Sequence, residues 1–267
     1  MARPVIALLT DFGTRDHYVG TMKGVALGIC PDATLVDITH GIPAHDVLSG
    51  ALALAAAYKY FPPASIFLVV VDPGVGSARR AMAAEAGGYR FVAPDNGVLT
   101  AVFEDVSPTR VVELAEPRYA RPDVSRTFEG RDRFAPAAAW LASGVELTAL
   151  GPALASWHRL AVPHPAATDT AIAGEVLRID RFGNLITNIE RRGFDLVAAD
   201  ASIEIRAGGQ PIAKVVGAYA DAGAGELCAL FSSSGHLEIS VNGGSAAERL
   251  GLGRGAPVTV NARRRAW

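Results

Sequence analysis

Ser65–Val71 reads SIFLVVV, apolar at nearly every position. A strand without polar alternation has to bury both faces, so it belongs inside a sheet covered on two sides. The flanking segments meet that demand. Val5–Thr10 is another apolar run, ending at Asp11-Phe12-Gly13, and Thr34–Thr39 (TLVDIT) reads as a further strand. Between them His17–Cys30 carries Tyr18, Met22, Val25, Leu27 and Ile29 at near-helical spacing, and Pro31 stops it. Asp46–Tyr60 is an Ala- and Leu-rich helix with Asp46 as its N-cap, and Pro62-Pro63 follow it. Tyr89–Ala93 reads as a strand, Pro94-Asp95-Asn96-Gly97 as a turn, and Gly97–Phe103 and Arg133–Ser143 as helices. This alternation predicts an α/β N-terminal domain over residues 1–160, with a central, mostly parallel sheet covered by helices.

Residues 161–170, within the Pro-containing LAVPHPAATDT, read as a linker. Beyond them the texture changes to short alternating strands separated by Gly-rich turns. They are Ala171–Ile179, Ile186–Ile189, Ser202–Ile205, Gly225–Phe231, Leu237–Val241 and Pro257–Val260. That pattern predicts a small all-β, barrel-like C-terminal domain over 171–267. Charge narrows the function classes: 25 basic against 27 acidic residues give a net −2, which argues against a nucleic-acid partner. The basic tail Arg263-Arg264-Arg265 reads as a solvated end. No run reaches the ~18 apolar residues of a membrane helix, and Val5–Leu9 is too short for a signal-peptide core. Cys30 and Cys228 stand far apart, which fits a reducing compartment and a cytoplasmic location. There is no CxxC, HExxH or Cys/His cluster.

Asp11, His40 and Asp72 fall just after predicted strands, at the sheet edge where open α/β proteins bind ligands. Asp72-Pro73-Gly74-Val75-Gly76-Ser77 lets the backbone approach a ligand closely, or is a tight turn that needs positive φ. It is not a dinucleotide fingerprint, because Arg79 holds the position of the third glycine. Asp11-Phe12-Gly13 lacks the companion motifs of a kinase. Asp11, Asp16, Asp37, Asp46 and Asp72 leave open a hard-cation site. His40 and His45 read as loop histidines. In Thr127–Pro136, Gly130 permits a turn and Arg131–Asp132 suits an ion pair or a charged helix start. Asp180–Asn184 and Ser232–His236 read as turns. Residue patterns alone lead to a two-domain enzyme.

The strings LLTDFGTRDHYVGTMKG (Leu8–Gly24), VDITHGIPAHDV (Val36–Val47), VVVDPGVGSARR (Val69–Arg80) and APDNGVLT (Ala93–Thr100) run in order along the chain. RTFEGRDRFAP (Arg126–Pro136), IDRFGNLITNI (Ile179–Ile189) and SSGHLEISVNGGSA (Ser233–Ala246) continue the series. Together they resemble the SAM hydroxide adenosyltransferases, or S-adenosyl-L-methionine (SAM) hydrolases, whose fold is shared with the SAM-dependent fluorinase and chlorinase. The resemblance implies attack of an activated water at C5′ of SAM, giving adenosine and L-methionine with no metal or cofactor. It implies that Asp11 binds the ribose hydroxyls and Asp16 the methionine ammonium. The Pro73, Gly74 and Val75 backbone would approach the ribose and C5′. Asp180 and Asn184 would contact the nucleoside, with Thr127, Phe128 and Phe182 lining the substrate. Ser233 and the Asn242–Gly243 backbone would complete the adenine pocket, and Ser234 would help hold the methionine carboxylate. The family site lies between subunits of a homotrimer, which is therefore expected here.

The family's water-activating set is Asp-Arg-His. Asp72 and Arg79 match its first two members, but the His of the family string TFHGRD is Glu129 in this chain. Glu129 can accept from Arg79 and keep the charge network closed, or act as a base. The substitution keeps open a SAM- or adenosine-binding protein with little turnover. A metal-dependent phosphohydrolase using the scattered aspartates is a third reading. A halogenase is disfavoured, because carboxylates at Asp72 and Glu129 repel a halide.

Overall fold

The computed structural model describes residues 3–199 and 201–263. Arg264 and Arg265 of the basic tail, and the side chain of Arg263, lie outside the described residues. The chain divides into two compact units, Met1–Val162 and Pro163–Trp267.

The first unit runs β1 (Val5–Thr10), α1 (Tyr18–Ile29), β2 (Thr34–Thr39), α2 (Val47–Ala57), β3 (Ile66–Val70), β4 (Ala81–Ala86), β5 (Tyr89–Pro94), α3 (Thr100–Asp105), β6 (Arg110–Glu113) and α4 (Ala135–Ala142). Its sheet has the order β2-β1-β3-β5-β4-β6. Successive residues of the apolar strands point to opposite faces. Ile6, Leu8, Leu68 and Val70 pack with Met22 of α1 and Leu141 of α4. Ala7, Leu9, Phe67 and Val69 pack with Leu54 of α2 and Val102 of α3. Two separate cores on the two faces are what SIFLVVV requires. Asp46 caps α2, accepting from Ser49 N at 3.0 Å.

The expectation of a mostly parallel sheet is met in part. β2, β1, β3 and β5 are mutually parallel, but β4 is antiparallel to both its neighbours, so the sheet is mixed. The cause is local. Gly87 and Gly88, at φ +58° and +82°, close a two-residue hairpin between β4 and β5. Two consecutive positive φ angles are the primed-turn geometry that joins antiparallel strands, and glycine supplies them without strain.

The parallel strands end on one edge. From β1 the chain goes to β2 on one side and then crosses to β3 on the other. The carboxyl ends of β1 and β3 therefore flank the switch point where such sheets form a crevice. Asp11 follows β1 and Asp72 follows β3.

The second unit contains β7 (Ala166–Ala167), β8 (Ala171–Ile179), β9 (Leu185–Glu190), α5 (Arg191–Ala198), β10 (Ser202–Ala207), β11 (Gln210–Ile212), β12 (Leu227–Phe231), β13 (His236–Val241), α6 (Ala246–Leu250) and β14 (Pro257–Arg263). All its strand pairings are antiparallel, in the order β11-β10-β14-β8-β9-β13-β12, with β7 beside β8. The segment after β11 runs alongside β12, with Val215 bridging Ala229 in parallel orientation. Ala229 N donates to Lys214 O at 2.8 Å and Val216 N to Ala229 O at 2.9 Å. These bonds nearly close the sheet into a barrel and satisfy an otherwise bare edge. Ile172, Val176, Leu185, Ile205, Leu237, Ile239 and Val260 fill it, and Phe194 and Val197 of α5 pack against it. Among the described residues, no helix is long and apolar enough to cross a membrane. Cys30 and Cys228 are free and buried.

Candidate active site

The loop after β3 carries Asp72 and Arg79. Arg79 forks onto Asp72, with Nε 3.0 Å from Oδ1 and Nη2 2.6 Å from Oδ2. The same Nη2 donates to Glu129 Oε2 at 2.9 Å. The guanidinium lies over the Phe134 ring, 5.2 Å from its centroid. The side chains of Asp72, Arg79 and Glu129 are only 4%, 9% and 12% exposed. Burial pushes the Asp72 carboxyl above the usual aspartate range, although Arg79 pulls it down, and the Glu129 charge adds to the rise. Asp72 is thus a buried carboxyl that holds its proton more tightly than a free aspartate, with a planar cation against it.

The loop geometry follows from its glycines. Val75 N donates to Asp72 O at 3.3 Å, and Ser77 N and Oγ donate to Gly74 O at 3.1 and 2.6 Å. Gly76 has φ +75°, and a Cβ there would sit 2.3 Å from Arg126 O. Arg126 Nη2 donates to Gly76 O at 2.8 Å, so residues 72–79 are stapled to the strip that leads to Glu129. Pro73 and Val75 are exposed beside Asp72.

Glu129 immediately precedes a π-helical turn, Gly130–Phe134, that runs into α4. Pro136 explains the irregular register. It has no N–H to give to Asp132 O, which instead accepts from Arg121 N at 2.8 Å. Asp132 is fully buried and takes a fork from Arg131, at 2.6 and 2.7 Å, and the N–H of Ser125 at 2.9 Å. Burial raises the Asp132 carboxyl, but these hydrogen bonds outweigh it and hold the group below its ordinary value. The expected Arg131–Asp132 pair is thus the anchor that presents Glu129. Such π-turns often accompany functional sites.

At the end of β1, Asp11 Oδ2 accepts from His45 N at 2.8 Å. His45 has φ +66°, an uncommon conformation for a non-glycine residue. Gly13 N donates to His40 O at 2.8 Å. His40 is buried, with Nδ1 2.8 Å from Thr10 Oγ1 and Nε2 2.9 Å from Asp37 Oδ1, the latter not aligned as a hydrogen bond. Asp37 also pairs with Lys23 at 2.6 Å. Reading His40 as a plain loop histidine is corrected: it ties the ends of β1 and β2 together. Asp16 is exposed and lies in sequence between Phe12 and Tyr18, which cluster with Phe128. Thr127 is exposed, with Oγ1 3.2 Å from Ser125 Oγ.

In the second unit Asp180–Asn184 is the β8–β9 turn. Asp180 Oδ1 accepts from Phe182 N and Asn184 N at 2.8 and 2.9 Å, and Oδ2 from Asn184 Nδ2 at 2.9 Å. Phe182 is left 75% exposed at the tip. Gly183, at φ +83°, packs on Ser245, and Ala247 N donates to its carbonyl at 2.9 Å. This brings the Asn242–Ser245 turn beside Asn184. Asn242 Nδ2 is spent on Ala222 O at 2.8 Å, and Gly243 is exposed at φ +78°. Ser233 and Ser234 stand elsewhere. The register of β13 on β9 pairs His236 with Glu190 and Ile239 with Leu185, so the serine turn and the Asn184 turn occupy opposite ends of β13. Ser234 Oγ lies 2.8 Å from Ser232 Oγ and 3.2 Å from His236 Nδ1.

Two arginines escape a reading by motif. Arg80 turns away from Arg79 to Asp95, at 2.9 and 2.6 Å, whose other oxygen accepts His158 N at 2.7 Å. Adjacent arginines with separate carboxylates after separate strands were the available signal. Arg133 stands 3.6 Å from Glu129 Oε2, a spacing of four residues that the string itself contains. The scattered aspartates are not gathered: among the described residues, no group of three or more His, Cys, Asp or Glu could hold a metal ion.

The profile of the SAM hydroxide adenosyltransferase N-terminal domain matches residues 6–151, and that of the C-terminal domain matches residues 174–259. An (R)-S-adenosyl-L-methionine hydrolase of Salinispora tropica is 39% identical over 97% of this chain and 98% of its own. The enzyme of that name from Thermus thermophilus is 40% identical over 97% and 99%. A fluorinase from an Actinoplanes species is 29% identical over 96% and 97%. Among solved structures, an uncharacterized conserved protein from Thermotoga maritima superposes with a TM-score of 0.91. It is 38% identical and covers 96% of this chain and 99% of its own.

Proposed function

We propose that this chain, which belongs to the SAM hydroxide adenosyltransferase family, hydrolyses S-adenosyl-L-methionine to adenosine and L-methionine. The observation that carries the reading is the buried Asp72–Arg79–Glu129 network beside the sheet's switch point. Water attacks C5′ as the C5′–S bond breaks, and the bonding pair leaves on sulfur as a neutral thioether. The departing group needs no proton, so the protein's task is to aim a water along the C–S axis and receive its proton. Asp72 is the receiving group, since its raised carboxyl suits proton transfer nearer neutrality. Arg79 fixes the Asp72 carboxylate in one orientation, and Glu129 closes the network in place of the family histidine. Holding the water in line supplies several kcal/mol of the acceleration.

Asp11 takes the ribose hydroxyls, with the Pro73–Val75 backbone against C5′, and Asp16 takes the ammonium. Asp180, Asn184 and the Asn242–Gly243 backbone take the nucleoside. Ser233 stands with Ser234, so we group both with the amino-acid end of the substrate. Thr127, Phe128 and Phe182 line its length. Two carboxylates facing the nucleophile position favour water over a halide. The relatives named above carry the (R) sulfonium in their names, and we assign the same epimer here. Neither metal nor cofactor takes part, the active form is a homotrimer with sites at subunit interfaces, and the protein is cytoplasmic, as unpaired buried cysteines suggest.

The test is incubation of the purified chain with (R)-SAM, with EDTA and without halide, followed by chromatography. Adenosine and methionine in equal amounts are expected. Intact SAM with tight binding would replace the reading by a binding protein, and activity that EDTA abolishes would overturn the metal-free chemistry.

A further inference from the structure

Arg79 is one cation serving two carboxylates. Its Nη2 donates both to Asp72 Oδ2 at 2.6 Å and to Glu129 Oε2 at 2.9 Å, and all three side chains are largely buried. That trio alone carries a net negative charge, which is costly away from water. Other nearby cations are committed. Arg80 is held by Asp95 and Arg131 by Asp132. Arg133 is different. Its Nη1 donates to Leu114 O at 2.9 Å, its Nε is buried without a hydrogen-bond partner, and that Nε is 3.6 Å from Glu129 Oε2. Tyr119, Ala137 and Leu150 line a small cavity with it. Glu116 also lines that cavity, and it faces Arg118 at 3.8 Å.

We propose that Arg133 is a positioning residue of the water-activating set, supplying the second positive charge that holds Glu129 against Arg79. Asp72, Arg79, Glu129 and Arg133 then form a chain of two anions and two cations. The carbonyl of Leu114 anchors its outer end, and a small side-chain adjustment or one bridging water closes the 3.6 Å step. The inference rests on the reading above that Asp72, Arg79 and Glu129 activate the water. It has a consequence for the family arrangement. A histidine at position 129 would leave Arg133 without its anion, so Glu129 and Arg133 form a matched pair, and Glu129→His alone is a loss in this chain.

The experiment is a double-mutant cycle on the full-length protein with Arg133→Met, Glu129→His and their combination, plus Arg133→Lys. Arg133→Met is expected to lower kcat about tenfold with KM for SAM within about twofold. Its acid limb of kcat against pH moves upward, because a cation has left a carboxylate pair. Arg133→Lys keeps the charge and is expected to stay within about threefold of the parent. In the Glu129→His background the sign reverses, and Arg133→Met raises kcat. Parent-like kcat and pH profile in Arg133→Met, or additive effects around the cycle, would overturn the proposal. Equal losses in Arg133→Lys and Arg133→Met with lowered Tm in both would show packing alone, and would overturn it too. If the parent leaves SAM intact, the functional reading fails by itself. The same cycle in urea unfolding then decides the pairing: coupled stabilities support it and additive ones reject it.

Discussion

In the proposed mechanism, Asp72 is the residue on which the chemistry turns. Its carboxyl must be ionised to accept a proton, and burial together with Glu129 holds it above the ordinary aspartate value. Activity is therefore expected to fall as pH drops through a value higher than that of a free aspartate. Glu129→Gln removes one source of the rise and should move that limb to lower pH, as a kcat–pH profile will show. Asp72→Asn keeps the shape but cannot take the proton, so kcat should fall roughly a hundredfold or more while SAM affinity changes little. Equal kinetics for variant and parent would remove Asp72 from the mechanism. Asp11 and Asp72 were legible because charged residues after apolar strands stand out, whereas Arg79 and Glu129 were picked out by the family resemblance. The orientation of Asp11 was not legible, since it depends on a backbone N–H from His45, a residue 34 positions away.

At the scale of elements, two loops hold the site and each has a testable weak point. Gly76→Ala would force a Cβ to 2.3 Å from Arg126 O at a positive φ. Loss of about 1–3 kcal/mol of stability in urea unfolding is expected, with a larger fall in kcat because the staple to residues 126–129 opens. Asp132 anchors the π-turn. Its folded carboxyl is held low, so it contributes stability above the ordinary aspartate pKa and loses it as pH falls toward the depressed folded value. Asp132→Ala should cost about 2–3 kcal/mol at neutral pH and flatten the acid side of the stability curve. Unchanged unfolding midpoints across pH would contradict that role. Arg131–Asp132 was visible as a sequence pair, but the π-turn was not. It arises from Pro136 and a distant donor, Arg121 N, which no local pattern encodes. Likewise Gly87-Gly88 marks a hairpin, yet AMAAEA before it lacks the β-branched residues that advertise a strand.

For the whole molecule, the division into an α/β unit and a β barrel follows from one change of texture, continuous apolar strands giving way to short alternating ones. The barrel-like form was expected from that texture, but the segment that closes it was not legible, because closure rests on two backbone bonds between Lys214–Val216 and Ala229 rather than on side-chain character. The helix α5 was hidden among charged residues, with Phe194 and Val197 as its buried side chains. SAM turnover is the property on which the account depends. The most direct test is reaction with (R)-SAM in ¹⁸O-labelled water, with EDTA and without halide, followed by mass spectrometry of the products. The account predicts one labelled oxygen in the adenosine 5′-hydroxyl and unlabelled methionine released in equal amount. Adenosine without label, a halogenated nucleoside when halide is restored, or SAM left intact would contradict it.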